Sequence, residues 1–467
     1  MMSTFSSRRR WWGAATSTIV FVAIAGAAGS PAASGGSDEE SSELLGPMPT
    51  EEVELVVWGP GYSDTDAEGN DTFSKVIDDR FEELYPNVTV THEGFDFATL
   101  ETRITTAMAA QEGPDVFSLY FNPQFYRAMI PLNGYLDDES RERIQYLALS
   151  AAMDAGSLYF MPYQSYAYVW YYNKAMFADA GLDPDAPPTT WEDLVSTCEA
   201  LKDAGITPIA AGWQDGFLAS WYGDYGFISQ LVTQEDIDAF WDPSVPPEDK
   251  MGWTDPLIRT AFGYLDELNQ RACFNESAPG LVYADMFAEF AGERAAMIYT
   301  VAGNPPFAET ADAIGIENLG VFKMPTLPDS PYTSQPMDAG PNLTLGIMNF
   351  TDHCRVAWEY VKFHYTEENQ ALLTGAGGAY PNLNGLPPID SEIPAEAQVL
   401  EWLNNPDNHG GFSPGVGGPT DPINRRLTEW LSGGATLDET LEALEEERLQ
   451  RAGQADAVEF EESPACN

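Results

Sequence analysis

The chain has 467 residues and a formal net charge of −51, because 73 acidic side chains stand against only 22 basic ones. This length exceeds one compact core and predicts two lobes of ordinary domain size, which the apolar content of 44% can fill. The charge excludes nucleic acid as a natural partner and disfavours an anionic ligand unless a local basic pocket holds it. It indicates a hydrated, halophilic surface. Cation binding by the carboxylates is the alternative, although the sequence contains no dense ligand cluster.

Residues 1–33 have the composition of a secretory signal rather than of folded structure. Three arginines at positions 8–10 precede two tryptophans, an apolar run and small residues suited to cleavage. The arginines also fit a twin-arginine signal, and the apolar run is short for a membrane span. We therefore expect an exported protein that is extracellular, at the cell surface or in the periplasm. Residues 34–50, rich in Gly, Ser, Glu and Pro, predict a disordered tether.

The segment 51–163 alternates strand and helix patterns. Short β-branched runs predict strands at Val53–Trp58 and Val88–His92, and a third strand begins near Asp115. Amphipathic helices are predicted between these strands. This order implies parallel strands joined by right-handed crossovers, and therefore an α/β fold.

The loops after these strands are candidate walls of a binding site, because open α/β sheets bind ligands beyond the carboxyl ends of their strands. The first loop carries Trp58 and Tyr62, and the third carries Tyr120 and Asn122. Trp58 could equally belong to the core of its lobe, whereas Tyr62 lies further out along the loop.

The stretch from 161 to 213 has the most ordered pattern in the chain. Its polar-aromatic start has no regular period, and the apolar run Ala167–Tyr172 is typical of a strand buried on both faces. Thr190, with Asp193 three residues later, predicts a capping box at the start of a helix. A glycine ends that helix, and a short strand follows it.

Four phrases in this stretch resemble the extracellular sugar-binding proteins of ABC importers, the family of the maltose-binding protein. The phrases are Tyr-Asn-Lys at 172–174, Ala-Gly-Leu at 180–182, Thr-Trp-Glu-Asp-Leu at 190–194 and Gly-Ile-Thr-Pro-Ile-Ala at 205–210. The resemblance extends over Val53–Arg451. It implies a two-lobed periplasmic-binding-protein fold of type II, in which each lobe is a mostly parallel sheet flanked by helices.

The same resemblance implies that the chain crosses between the lobes three times. It assigns residues 51–163 and 341–382 to lobe 1, and residues 164–340 and 383–467 to lobe 2. Crossings of this kind absorb backbone rotation in a few residues, so the lobes can close on a ligand held between them.

Sugars are bound by aromatic rings that cover their C–H faces and by planar polar groups that bond their hydroxyls. Residues of both types at the strand ends and crossings are therefore the candidate ligand contacts. In chain order they are Trp58, Tyr62, Asp115, Tyr120, Asn122, Gln164, Tyr166, Trp213, Trp221, Gly303, Asn304 and Asp338. Structural roles are the alternative: Asp115 could cap backbone amides, and Trp221 could pack within its aromatic loop.

Export permits disulfides among the four cysteines, which are Cys198, Cys273, Cys354 and Cys466. None belongs to a C-x-x-C pair, which disfavours zinc binding and dithiol redox chemistry. Cys198 and Cys273 both fall in the presumed lobe 2 and are our first choice for a bond, with buried free thiols as the alternative. No cysteine comes directly after the N-terminal apolar run, which disfavours a lipid anchor at that point.

The resemblance implies a non-catalytic receptor that binds a sugar or oligosaccharide between its lobes and delivers it to the membrane permease of an ABC transporter. We expect a monomer without a cofactor or a metal. The four histidines, His92, His353, His364 and His409, show no metal-ligand spacing.

An exported glycoside hydrolase is the alternative from another class, since it would also combine tryptophans with carboxylates. It needs two carboxyl groups about 5–10 Å apart. The strand–helix order does not repeat as in a barrel, and lobe crossings have no role in that interpretation. A binding protein for a non-sugar solute, including ferric iron held by paired tyrosines, is the second alternative.

Overall fold

The computed structural model describes residues 45–65, 71–119, 123–136, 140, 144, 153–154, 157–214, 217–233, 236, 239–240, 245–246, 249–303, 307–332, 339–341, 343–376, 380–381, 391–403 and 421–455. The predicted signal and the first part of the predicted tether lie outside these residues. Within the described part of the chain, no helix combines the length and the apolar character that a membrane crossing requires.

The described part of the chain combines strands and helices throughout its length. The strands are β1 (Val53–Pro60), β2 (Val88–Phe95), β3 (Val116–Leu119), β4 (Met153–Asp154), β5 (Ser157–Leu158), β6 (Phe160–Pro162), β7 (Gln164–Asn173), β8 (Thr207–Ala210), β9 (Ala295–Val301), β10 (Leu319–Phe322), β11 (Ala339–Pro341), β12 (Thr344–Ile347) and β13 (Tyr380–Pro381). The helices are α1 (Phe73–Leu84), α2 (Phe97–Ala110), α3 (Lys174–Asp179), α4 (Trp191–Asp203), α5 (Phe217–Ser220), α6 (Pro256–Gln270), α7 (Tyr283–Ala291), α8 (Phe307–Ile314), α9 (Cys354–Phe363), α10 (Glu367–Ala376), α11 (Pro394–Leu403), α12 (Asp421–Leu431) and α13 (Leu437–Ala455).

The first sheet has the strand order β2-β1-β3-β12-β6. Strand β1 pairs in parallel with both β2 and β3, as the alternation of strands and helices predicts. Helix α1, one of the predicted amphipathic helices, begins at Phe73 because the side chain of Thr72 accepts a hydrogen bond from the N–H of Lys75. Its buried positions Phe73, Ile77 and Phe81 recur every four residues and face the sheet.

The second sheet has the strand order β10-β7-β9-β8. The predicted capping box is confirmed at the start of α4, where Thr190 accepts from the N–H of Asp193 and Asp193 accepts from the N–H of Thr190. Tyr168, Tyr171 and Tyr172 of β7 are core residues, as the apolar run Ala167–Tyr172 predicts, since the strand lies between β10 and β9 and these side chains are buried.

The prediction of mostly parallel sheets holds for the first three strands and for the pair β8–β9, and is wrong for the other pairings. Strand β12 is antiparallel to both β3 and β6. In the second sheet, β7 is antiparallel to β10 and to β9, and only β8 pairs with β9 in parallel. The antiparallel strands β6, β7 and β12 are those at which the chain passes from one core to the other. Strands β7 and β12 run opposite to the parallel strands of their sheets, whereas β6, antiparallel to β12, has the same direction as β1, β2 and β3.

Two separate hydrophobic cores are present. One draws on residues between Val53 and Tyr163 and between Leu345 and Leu373. The other draws on residues between Ala167 and Leu327 and between Tyr380 and Leu444. We refer to these halves as lobe 1 and lobe 2, while the residue limits predicted for them stay a prediction.

The described chain passes between the cores at three places, and all three join at the start of β7. Strand β11 pairs with Ser165–Ala167, and β13 pairs with Gln164 and Ser165. This pairing explains why residues 164–166, which lack a periodic sequence pattern, are nonetheless strand. Their regularity comes from hydrogen bonds to two distant segments rather than from their own side chains.

A disulfide joins Cys198 in α4 to Cys273 after α6, with a Cα–Cα distance of 5.8 Å. Both residues are fully buried in the core of lobe 2. The first-choice pairing is thus confirmed, and it closes a loop with a sequence separation of 75.

Candidate functional site

A pocket of about 180 Å³ opens in lobe 1 beyond the carboxyl ends of β1 and β3 and reaches the hinge. This is the position at which open α/β sheets bind ligands. The residues that line it are Gly59, Pro60, Gly61, Tyr62, Ser63, Thr72, Phe73, Ser74, His92, Ser118, Tyr163, Gln164, Leu343, Leu345, Tyr360 and His364. None of these described lining residues is a lysine, an arginine or a carboxylate.

The outer wall of the pocket is the loop after β1. The hydroxyl of Thr72, at the start of α1, donates to the carbonyl of Ser63 at 2.7 Å and so fastens this loop to the helix. Tyr62 lies directly against β2: a side chain at Gly94 would place its Cβ 2.5 Å from the carbonyl oxygen of Tyr62. Only glycine permits this approach, which holds the Tyr62 ring over the pocket.

A buried carboxylate organises the inner wall. Asp78 on α1 is only 4% exposed, although it carries a charge. One of its oxygens accepts from the hydroxyl of Tyr360 at 2.6 Å, and the other lies 3.1 Å from Nδ1 of His92. The ring of Tyr62 stacks on His92 with centroids 4.0 Å apart and planes 13° from parallel. A charge, an imidazole and two phenols therefore form one connected unit beside the pocket.

The electrostatics of this unit follow from burial and from the charge of Asp78. Burial, followed by the field of Asp78, raises the pKa of Tyr62. Burial raises the pKa of Tyr163 to about 12, with a further upward contribution from Asp78. Burial lowers the pKa of His364 to about 4, although its hydrogen bond with the carbonyl of Tyr360 and the charge of Asp78 oppose the change. At neutral pH the phenols are protonated and His364 is uncharged, so these groups act as neutral hydrogen-bonding partners.

The floor of the pocket is fixed to the hinge by side-chain amides and hydroxyls. Gln370 on α10 donates through Nε2 to the carbonyl oxygens of Tyr163 and His364, each at 3.0 Å. Tyr163 and Ser118 share a hydrogen bond of 3.2 Å between their hydroxyls. The hinge residue Gln164 is 7% exposed and lies on the pocket.

Lobe 2 contributes aromatic rings next to the same hinge. A π-helical segment, Trp221–Phe227, follows α5; such segments are common at functional sites. It places Tyr225 parallel to Tyr168 of β7, at 4.7 Å between centroids. Trp221 contacts Tyr168 and Tyr283 edge to face, at 5.3 and 5.5 Å. Trp221 and Tyr225 remain partly exposed, and we call these four residues the aromatic platform.

Two of the predicted contacts, Tyr62 and Gln164, line the pocket. Trp58 does not, because side chains alternate between the two faces of a strand. Its neighbour Gly59 faces the pocket, while the Trp58 ring lies against Phe95 and Arg103 on the α2 side. The structure thus favours the core role that the sequence left open for Trp58.

Asp115 is placed as a structural carboxylate. It accepts from the N–H of Val56 at 2.8 Å and from the hydroxyl of Thr351, which links β1 to the turn after β12. Trp213 is 1% exposed, and its ring is enclosed by Phe274 and Tyr222. The loop after β8 bends back under the lobe, with the N–H of Trp213 bonded to the carbonyl of Ala278. Neither placement supports contact with a ligand.

The remaining predicted contacts divide into two groups. Trp221 belongs to the aromatic platform. The backbone of Tyr166 pairs with Gly340 in the hinge, and the N–H of Gly303 donates to the hydroxyl of Tyr171 at 3.1 Å. Outside the described residues lie Tyr120, Asn122, Asn304 and Asp338.

Sequence reasoning missed three members of the connected unit beside the pocket, Asp78, His92 and Tyr360, and the neighbouring His364. One signal was available: Asp78 occurs between Ile77 and Phe81 on the apolar face of a predicted amphipathic helix, where a charge needs partners. Its partners could not have been named, since Tyr360 is 282 residues away. Among the described residues, no group of three or more His, Cys, Asp or Glu side chains could hold a metal ion.

Comparison with known families assigns the chain. Residues 66–371 match the family of bacterial extracellular solute-binding proteins. The chain belongs to this family. As members of a family of binding proteins, such chains are generally non-enzymatic and act outside the cytoplasm.

A curated relative of this solute-binding protein is the sn-glycerol-3-phosphate-binding periplasmic protein UgpB of Shigella flexneri. The two are 48% identical over 125 residues, which is 26% of each chain. The UgpB of Escherichia coli strain K12 is 47% identical over a segment of the same length. The aligned part thus spans about a quarter of the relatives' own length, 26%.

Solved structures with the same fold cover nearly the whole protein. A chitin oligosaccharide binding protein superposes with a TM-score of 0.72 at 21% identity, over 86% of this chain and 99% of its own. The maltose-bound MalE3 of T. maritima superposes with a TM-score of 0.65 at 18% identity, over 85% of this chain and 100% of its own. The predicted two-lobed α/β fold of type II is therefore confirmed.

Proposed function

We propose that this solute-binding protein binds a neutral sugar or oligosaccharide between its lobes, without changing it chemically, and delivers it to an ABC permease. The observation that carries the proposal is the composition of the pocket at the hinge. Phenols, hydroxyls, an amide and two imidazoles line it, and neither lysine nor arginine is among its described residues. Neutral donors and acceptors beside aromatic rings suit a hydroxyl-rich ligand with apolar C–H faces.

The lobes supply the two kinds of contact that such a ligand needs. Lobe 1 offers directional hydrogen bonds, and the aromatic platform of lobe 2 offers ring faces next to the same hinge. The solved structures of the same fold are named for chitin oligosaccharide and maltose, which agrees with a saccharide ligand. Export as a monomer, by the signal expected at residues 1–33, completes the proposal.

A phosphorylated polyol is the second candidate, since UgpB is named for sn-glycerol 3-phosphate. Phosphate sites in proteins use arginine or lysine, or several converging backbone N–H groups. The pocket instead lies beside the buried carboxylate of Asp78, whose field would repel a phosphate. We therefore rank the neutral sugar first.

Thermal unfolding of the purified protein in high salt tests this ranking. The ligand panel is N,N′-diacetylchitobiose, maltose, xylobiose, D-galactose, glycerol and sn-glycerol 3-phosphate. A ligand that binds only the folded state stabilises it by about 2.7 kcal/mol at a hundredfold excess over its dissociation constant. We expect a saccharide to raise the melting temperature and to be recovered unchanged by chromatography.

Two other results would contradict the proposed sugar-binding function. A rise with sn-glycerol 3-phosphate alone would establish the phosphorylated ligand, and cleavage of the saccharide would establish a hydrolase. The variant Tyr62→Ala should lose most of the ligand-induced shift. The variant Tyr85→Ala, a tyrosine at the far end of α1, is the matched control and should retain it.

A further inference from the structure

The imidazole of His92 has two nitrogens in different surroundings. Nδ1 lies 3.1 Å from a carboxylate oxygen of Asp78, so it must carry the hydrogen that this oxygen accepts. Nε2 lies at the side of Gly59, and both residues line the pocket. A Cβ at position 59 would come within 2.9 Å of Nε2, so glycine leaves this nitrogen uncovered. Among the described residues, none is hydrogen-bonded to Nε2.

Asp78 has the features of a positioning residue. It is 4% exposed, and its two oxygens are committed to His92 and to the hydroxyl of Tyr360. A carboxylate only accepts hydrogen bonds, so it selects the form of the imidazole with hydrogen on Nδ1. In the neutral ring, Nε2 is then an acceptor. The stacked ring of Tyr62, 4.0 Å away, prevents the imidazole from turning.

We propose that His92 determines the specificity of this pocket: Asp78 holds its hydrogen on Nδ1, and Nε2 accepts a hydrogen bond from one hydroxyl of the ligand. The proposal rests on the function proposed above and refines it, because it says which property the ligand must have at that point. A site built to accept from a hydroxyl discriminates strongly against an analogue that lacks it, since the buried acceptor is then left unpaired.

Four titratable groups surround the imidazole of His92. Asp78 faces it from α1, Tyr62 from the loop after β1, and Tyr360 and His364 from α9. Tyr163 lies beyond them at the hinge. The acidic group in this shell is the carboxylate of Asp78, whose negative charge contributes to the raised pKa of Tyr62. A phosphate bound against Nε2 would meet that charge, whereas a hydroxyl would donate to the nitrogen without opposing it.

The first test needs no ligand. The chain has only four histidines, so a protein labelled with ¹⁵N-histidine gives few imidazole signals, and the variant His92→Phe assigns those of His92. Long-range ¹H–¹⁵N spectra at pH 7.5 should show hydrogen on Nδ1 and none on Nε2. In Asp78→Asn, where the amide can donate to Nδ1, the hydrogen should move towards Nε2. Hydrogen on Nε2, or on both nitrogens, in the unaltered protein would overturn the proposal.

The second test measures the hydroxyl directly. Monodeoxy derivatives of the panel saccharide with the largest thermal shift are titrated calorimetrically into the unaltered protein and into His92→Phe. We expect one derivative to bind about tenfold more weakly than its parent to the unaltered protein, and to bind His92→Phe as its parent does. His353→Phe, an equal change outside the pocket, should keep the tenfold difference. If every derivative lost the same factor in both proteins, His92 would have only a structural role.

Failure of the two proposals can be told apart. If no panel saccharide binds, the sugar-receptor assignment fails, while the spectra of the free protein still decide whether His92 presents an acceptor. If a saccharide binds but its deoxy series shows no loss that depends on His92, the receptor assignment stands and the role of His92 is rejected.

Discussion

The two lobes present different chemistry beside the same hinge. Lobe 1 offers a pocket around a buried carboxylate, an imidazole and hydroxyls, where direction matters. Lobe 2 offers the aromatic platform of Tyr168, Trp221, Tyr225 and Tyr283, whose contribution to binding depends on the ring area that the ligand covers. Hydrogen bonds lose much of their net value if one partner is missing, whereas ring faces tolerate small shifts. We infer that lobe 1 selects the ligand and that lobe 2 adds affinity when the lobes close.

The largest expected effect is a loss of stability, and it tests whether Trp213 belongs to the core of lobe 2 rather than to its binding surface. Trp213→Ala should lower the free energy of unfolding by about 3–5 kcal/mol, because it empties a fully enclosed site between Phe274 and Tyr222. Urea denaturation followed by circular dichroism measures this loss. A stable variant with reduced sugar affinity would instead place Trp213 in the binding surface and contradict its assignment to the core.

Removal of the disulfide should weaken lobe 2 by a smaller amount. The paired change Cys198→Ser and Cys273→Ser releases a loop with a sequence separation of 75. We expect the free energy of unfolding to fall by about 2–4 kcal/mol, mainly through the added freedom of the unfolded chain. Each single variant serves as a control, since either change alone breaks the same bond. An unchanged denaturation midpoint in all three variants would show that the bond does not constrain the unfolded state.

The stability of lobe 1 should depend on pH through the protonation of His364. Burial lowers its pKa in the folded state to about 4, while the unfolded chain has the ordinary value of 6.5. As the pH falls from 6.5 to 4, His364 therefore binds a proton in the unfolded state but not in the folded state. The free energy of unfolding should fall by up to about 3 kcal/mol over this window and level off below it.

The many carboxylates also titrate below pH 5, so this effect is read as a difference between proteins. Urea denaturation at several pH values should give a shallower slope for His364→Gln than for the unaltered chain. His353→Gln, the same change at an incompletely buried position, should keep the original slope. Equal slopes in all three proteins would show that His364 is charged, or accessible, in the folded state.

The smallest expected effect is a loss of sugar affinity, and it tests whether the aromatic platform contacts the ligand. Trp221→Ala removes a ring that contacts Tyr168 and Tyr283, and should weaken binding of the panel saccharide about two- to tenfold in calorimetry. Trp58→Ala is the matched control, since this tryptophan is also half-buried but lies on the α2 side of lobe 1. Equal losses in the two variants would argue that the platform contributes only to folding.

Sequence patterns predicted those features that depend on neighbours along the chain. The capping box of Thr190 and Asp193 spans three residues, and the buried strand within β7 follows from its own apolar run. The amphipathic helix α1 likewise follows from its apolar period. These features need no knowledge of the rest of the fold.

The pocket could not be predicted in the same way. Two of the predicted contacts, Tyr62 and Gln164, do line it, because loops at strand ends and hinge residues converge there by topology. Its inner wall brings Asp78 and His92 together with α9, which is far away in sequence. The expectation for Trp213 used the strand-end rule alone. That rule locates a loop but does not say which way the loop turns, and this one turns inward.

Strand β7 gives the hinge a mechanical property that a flexible linker would lack. Its 10 residues form one unbroken strand, about 33 Å long at the usual rise. The strand begins between β11 and β13 and ends between β9 and β10. Because the strand is continuous, we expect a twist of the paired hinge strands to be transmitted directly to Tyr168 and to the ring of Tyr225 stacked on it.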